Sequence, residues 1–74
     1  MTIKTLEAIH TLLKEDVRRK EAEKTADYNR YQLAKEDLNT PMEYIHNLKD
    51  IYDESREDYY AAKAALDDFE SHEF

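Results

Sequence analysis

The sequence predicts an all-α fold, namely an antiparallel two-helix hairpin of the coiled-coil type. Three observations support this prediction. The chain has no glycine and a single proline, Pro41, so the helical pattern is clearly broken only within residues 39–43. Apolar residues recur at heptad spacing on both sides of that break. Apolar residues also occur in pairs that are equidistant from the break and whose numbers sum to 79, such as Leu13 and Leu66. Such pairs are typical of a helical chain that folds back on itself.

The first helix is predicted to run from Ile3 to Leu38, with Thr2 as its N-cap. Asn39 tolerates the left-handed conformation that often ends a helix, and the turn is predicted at residues 39–40. One stripe of this helix should face the second helix. Its positions are Ile3, Leu6, His10, Leu13, Val17, Lys20, Lys24, Asp27, Tyr31, Ala34 and Leu38.

The second helix is predicted to run from Pro41 to Ser71. Proline suits the first helical position, and Thr40 with Glu43 forms the Thr-x-x-Glu pattern of a capping box. A turn of two or three residues forces the two helices to lie antiparallel. The facing stripe, which completes the seam between the helices, is Ile45, Leu48, Tyr52, Ser55, Tyr59, Ala62, Leu66 and Phe69.

The middle of the seam is polar. A lysine can lay its aliphatic stem over a tyrosine ring while its ammonium reaches water. The rod can open or twist slightly there, or the polar layers can fix the register of the helices. A four-residue stutter gives a second seam that gains Tyr28 and loses Asp27, and periodicity does not choose between the two. The polar layers are Lys20 with Tyr59, Lys24 with Ser55, and Asp27 with Tyr52.

A second apolar stripe flanks the seam on one side. A chain of 74 residues without cysteine has few other means of stabilising a small core, so self-association is expected. Two hairpins are predicted to pair through this stripe into a homodimeric four-helix bundle. The alternative is a broad intramolecular stripe closed by Phe69 and Phe74. The flanking residues are Ile9, Leu12, Leu33, Tyr44, Ile51, Ala61 and Ala65.

Six tyrosines are a high number for this length, and three of them lie off the seam. Tyrosine is enriched among the residues that dominate protein interfaces. The residues predicted to bind a partner are Ile9, Leu12, Tyr28, Tyr44, Ile51 and Tyr60.

The charge is divided unevenly between the helices. Residues 1–39 carry eight basic and eight acidic side chains, whereas residues 40–74 carry three and ten, so the net charge of −7 lies in the second half. Such a surface is unsuited to nucleic acid or anionic lipid, and it favours a basic protein partner or simple solubility. The chain lacks a long apolar run and cysteine, so a soluble cytoplasmic protein is expected.

Candidate chemistry is sparse. Two Glu-x-x-His units, at residues 7–10 and 43–46, resemble those of di-iron bundles, but the hairpin would hold them at opposite ends. His10 and His72 with Glu7 and Asp68 form a cluster that we interpret as a solvated terminus. The sequence also lacks a serine elbow and a glycine-rich phosphate loop. We therefore expect no enzyme, cofactor or metal site, but a non-catalytic interaction or structural module. The alternative is an acidic inhibitor that mimics nucleic acid toward a basic partner.

Overall fold

The structure, a computed structural model, describes residues 2–73 and confirms the two-helix hairpin. Helix α1 spans Ile3–Glu36 and helix α2 spans Met42–Glu73, and no strand occurs in this range. The helices pack side by side into a rod that measures 57 × 14 × 12 Å. Neither helix, as far as the described residues extend, is both long and apolar enough to cross a bilayer.

The start of α1 is the predicted one. The Thr2 side chain accepts a hydrogen bond from the Thr5 amide at 3.2 Å, which satisfies one of the free donors of the first turn. The Thr2 carbonyl accepts the first helical bond, from Leu6 at 3.0 Å. Thr2 is therefore the N-cap of α1.

The end of α1 differs from the prediction, because the helix ends at Glu36 and not at Leu38. Asp37 is the first residue beyond the helix. Its side chain accepts from the Asn39 amide at 2.9 Å, and its carbonyl accepts from the Thr40 amide at 3.1 Å. Aspartate competes in this way with the helical ladder for nearby backbone donors. No described residue has a positive φ angle, so the left-handed conformation expected at Asn39 does not occur.

The start of α2 also differs in detail. The amides of Tyr44 and Ile45 donate hydrogen bonds to the Pro41 carbonyl at 3.1 and 3.2 Å. The first helical hydrogen bonds of α2 are therefore accepted by a backbone carbonyl and not by a side chain. Thr40 makes no side-chain hydrogen bond to this first turn, and the predicted capping box is not formed. Proline disfavours helical geometry at the residue before it, which keeps the turn and the helix distinct.

Contacts along the rod establish the register. Near the chain termini, His10 stacks on Phe69 with 5.9 Å between ring centroids. Towards the turn, the rings of Tyr28 and Tyr52 lie 5.2 Å apart. The residue numbers of the first pair sum to 79 and those of the second pair sum to 80. Residues whose numbers sum to 79 therefore lie at the same level of the rod, as the heptad pattern predicts.

The core is small and lies in the seam. The three buried hydrophobic residues, Ala34, Leu48 and Ala62, all occupy predicted seam positions. Most other seam residues are half-buried, but the two end positions of α1 are not. Ile3 is 74% exposed, and Leu38, which lies in the turn beyond the helix, is 98% exposed. The seam thus begins after Ile3 and ends before Leu38.

The polar middle of the seam forms specific contacts. Ser55 donates a hydrogen bond to the half-buried Asp27 carboxylate, and the Lys24 ammonium lies 4.3 Å from the centroid of the Tyr59 ring. These partners are offset by about one turn from the predicted layers, because helical side chains lean towards the N-terminus of their own helix. Asp27 remains in the seam while Tyr28 flanks it, so the structure supports the first of the two predicted seams.

Candidate protein interaction surface

The confirmed seam determines on which side of the rod each flanking residue lies. When the seam residues take heptad positions a and d, the g and c positions of both helices lie on one side of an antiparallel hairpin. The e and b positions lie on the opposite side. We call the first of these the apolar side. Its apolar residues are Ile9, Leu12, Ala26, Leu33, Tyr44, Ile51, Ala61 and Ala65.

The six predicted partner-binding residues do not share one surface. Ile9, Leu12, Tyr44 and Ile51 occupy g or c positions and lie on the apolar side. Tyr28, at an e position, and Tyr60, at a b position, lie on the opposite side of the rod. The sequence prediction grouped them by residue type, whereas their heptad positions separate them.

Large apolar side chains on the apolar side are open to solvent. Leu12 is 64% exposed, Leu33 67%, Tyr44 52% and Ile51 46%. Ile9 is half-buried beside the seam. The predicted intramolecular stripe therefore leaves Leu12 uncovered. Phe69 is half-buried against His10, and Phe74, the other residue expected to close that stripe, lies outside the described residues.

These residues form two patches at different levels of the rod. The open-end patch, near the chain termini, consists of Ile9, Leu12, Ala61 and Ala65. The turn-end patch consists of Leu33, Tyr44 and Ile51. A belt of charged residues separates the patches, and it includes an ion pair of 2.6 Å between Arg19 and Asp16. The other members of the belt are Glu23, Glu54 and Asp58.

The tyrosines on the opposite side already have contacts within the hairpin. Tyr28 packs on Tyr52, and the Tyr60 ring lies 5.3 Å from that of Tyr59. Lys24 joins Tyr28 and Tyr52 in lining a shallow cleft of about 190 Å³. This cleft is smaller than the roughly 300 Å³ at which ligand pockets begin. Tyr28 therefore contributes to packing between the helices, whereas Tyr60 contacts only its neighbour in the same helix and is 57% exposed.

The histidines at the open end are engaged by single carboxylates. His10 Nε2 lies 2.8 Å from a Glu70 carboxylate oxygen, and His72 Nδ1 lies 2.9 Å from the Asp68 carbonyl oxygen and 3.4 Å from its carboxylate. No group of three or more potential metal ligands assembles among residues 2–73. In the cluster of Glu7, His10, Asp68 and His72 considered from the sequence, Asp68 thus contacts His72, while His10 contacts Glu70, which lies outside that cluster.

The outward face of α2 carries acidic residues without cationic partners. Asp53 is bridged by Lys49 and Arg56 at 3.8 and 3.9 Å. In the part of the chain that the structure describes, Glu54 and Glu57 form no ion pair. Like charges three or four residues apart on a helix repel one another mildly. These carboxylates account for part of the net negative charge that lies in the second half of the sequence.

No protein-family model matches the chain, and neither a curated protein nor a solved structure is significantly similar to it.

Proposed function

We propose that this chain is a non-catalytic protein–protein interaction or structural module that self-associates, two hairpins pairing through their apolar sides into a four-helix bundle. One observation carries this proposal. Among the described residues only Ala34, Leu48 and Ala62 are buried hydrophobic residues, while Leu12, Leu33, Tyr44 and Ile51 lie exposed on the apolar side. A group of large apolar residues exposed on the same side of a thin rod is typical of an interaction surface.

The surface area supports the same proposal. The chain exposes 5690 Å². A compact monomer of 8.9 kDa is expected to expose about 4,800 Å², so the rod exposes an excess of roughly 900 Å². A stable interface of standard size removes about 800 Å² from each partner. Covering one side of the rod with a second copy would therefore bring its exposed surface close to that of a compact protein.

The composition of the core gives a second reason. Two of the three buried residues, Ala34 and Ala62, contribute little apolar area, so Leu48 is the only large side chain among them. Proteins of this size usually need a disulfide, a metal or a partner for stability, and this chain has no cysteine. Burial of the apolar side in a dimer would supply stabilisation that the seam alone does not.

Two leucine substitutions test the proposal. Leu12→Ser should weaken dimerisation, because each copy loses about 1–2 kcal/mol of the apolar burial that Leu12 would gain in the dimer. The dimer carries the substitution twice, so the loss is about 2–4 kcal/mol, an increase of about 30- to 800-fold in the dimer dissociation constant. Leu38→Ser is the matched control, since Leu38 is 98% exposed in the turn and lies away from the apolar side. Light scattering across a dilution series measures both constants, and circular dichroism checks that helicity is retained.

Equal dissociation constants for the two serine variants would contradict the proposed surface. A wild-type chain that stays monomeric and fully helical would contradict self-association itself. The Tyr44→Ala and Tyr60→Ala pair extends the comparison, since only Tyr44 lies on the apolar side. We expect a weaker dimer for the first variant alone.

A second candidate function follows from the acidic face of α2. Its carboxylates away from the apolar side, Glu57 among them, could bind a basic protein as the phosphates of nucleic acid do, which would make the chain an acidic inhibitor. Tyr28 and Tyr60 would be available to the same partner on the side away from the dimer. Binding to such a partner should weaken steeply as salt rises, whereas an apolar interface is largely indifferent to salt.

A further inference from the structure

We infer that the two hairpins of the dimer lie antiparallel, so that the turn-end patch of each copy covers the open-end patch of the other. This inference rests on the proposed self-association and adds the geometry of the pairing. It follows from the level at which each residue of the apolar side lies, and from the charges between the two patches.

Symmetry allows two ways of stacking identical apolar sides. A two-fold axis parallel to the rods keeps the hairpins parallel and places α1 of one copy on α2 of the other. An axis perpendicular to the rods, running in the plane between the hairpins, makes them antiparallel and places α1 on α1 and α2 on α2. The two arrangements bring different residues together, so the sequence along the apolar side distinguishes them.

The antiparallel arrangement gives complementary contacts between the two α1 helices. With the axis level with residue 21, positions whose numbers sum to 42 face one another. Ile9 then packs on Leu33 of the second copy, which joins the two apolar patches. Arg19 faces Glu23 of the second copy, so these two members of the charged belt meet opposite charges rather than being buried unpaired.

The same axis lies level with residue 58 in α2, where facing positions sum to 116. Ile51 then packs on the small Ala65 of the second copy, and Tyr44 packs beside His72. The large Ile51 of the turn-end patch thus meets a small residue of the open-end patch, an alternation of sizes that favours close packing. Asp58 faces its own copy across the axis, which is unfavourable.

The parallel arrangement is less favourable. It would place Ile9 beside Asp68 and Glu23 between two acidic residues of the facing α2, although Leu33 would meet Tyr44. It would also align the two open ends, where residues 1–15 and 64–73 together carry two basic and six acidic side chains. The turn end, residues 30–50, carries three basic and four acidic side chains, so antiparallel pairing sets the more acidic end beside the nearly neutral one.

Cysteine crosslinking tests the geometry, since the chain has no native cysteine. In the antiparallel dimer, Asp58→Cys brings two thiols to the axis within the range of a disulfide. Glu57→Cys is the matched control, because Glu57 is also exposed but lies at an f position that faces away. Mild oxidation should yield several-fold more crosslinked dimer from Asp58→Cys than from Glu57→Cys.

Sedimentation of both reduced variants distinguishes a failure of the antiparallel geometry from a failure of self-association. Dimers that do not crosslink through Asp58→Cys above the control would overturn the antiparallel geometry and leave self-association standing. Preferential crosslinking in a mixture of Arg19→Cys with Asp58→Cys would identify the parallel arrangement instead. Variants and wild type that sediment as monomers would overturn both the geometry and the proposed function.

Discussion

Leu48 is the residue whose truncation should destabilise the hairpin most. It is 5% exposed and is the largest of the buried side chains. Leu48→Ala removes three buried carbon atoms, which at about 0.8 kcal/mol each amounts to about 2.4 kcal/mol of lost transfer free energy. Any cavity that remains adds to this cost, and Leu-to-Ala changes in cores cost about 2–5 kcal/mol. Because the rod is thin and can close around the gap, we expect the lower part of that range.

Urea unfolding followed by circular dichroism, at one fixed protein concentration, measures the change. Leu38→Ala is the control, with an expected change within about 0.5 kcal/mol because the side chain is already in solvent. Leu48→Met keeps most of the volume and should cost less than about 1.5 kcal/mol, so it remains measurable if the alanine variant does not fold. Similar free energies of unfolding for Leu48→Ala and Leu38→Ala would refute the assignment of the core to this seam.

Three further substitutions test other contacts. Asp58→Ala removes the carboxylate expected to face its own copy, so the dimer dissociation constant should fall by about two- to fivefold in sedimentation equilibrium, and a rise would contradict the antiparallel axis. Ser55→Ala leaves the seam aspartate without its hydroxyl donor and should cost about 1 kcal/mol in urea unfolding; no change would show that the polar layer does not stabilise the hairpin. Lys24→Ala removes the cation over Tyr59 and should cost about 0.5–1 kcal/mol, against no loss for the exposed Lys63→Ala; equal effects would argue against this contact.

The register of the hairpin could be predicted from the sequence because two local features agree. The heptad repeat fixes which face of each helix is apolar, and the short turn around Pro41 fixes how the two faces meet. Ala34, Leu48 and Ala62 were placed in the seam by this reasoning and are buried.

The ends of the helices were predicted less well, for a physical reason. Asp37, Asn39 and Thr40 all favour turns, and propensity alone does not rank their competing hydrogen bonds. In the structure the Asp37 carboxylate takes the Asn39 amide, which ends α1 before Leu38 and leaves that leucine in solvent. Which side chain wins depends on the three-dimensional path of the turn, which a linear pattern does not specify.

The sequence identified apolar residues outside the seam but did not separate the two sides of the rod. The exposed apolar residues Leu12, Tyr44 and Ile51 were identified from their positions outside the seam. Tyr28 and Tyr60 were grouped with them by the general preference of tyrosine for interfaces, although they lie on the other side of the rod. Heptad positions, used more strictly, would have separated these residues, whereas their contacts with Tyr52 and Tyr59 required the structure.

We propose that a second copy of the chain covers the side of the rod on which Leu12 and Leu33 are exposed. Sedimentation equilibrium of the wild-type chain over a wide concentration range tests this proposal. We expect a species of twice the 8.9 kDa chain mass that dissociates on dilution, with helicity falling as it does so. A mass of one chain at every concentration, with helicity unchanged, would contradict it.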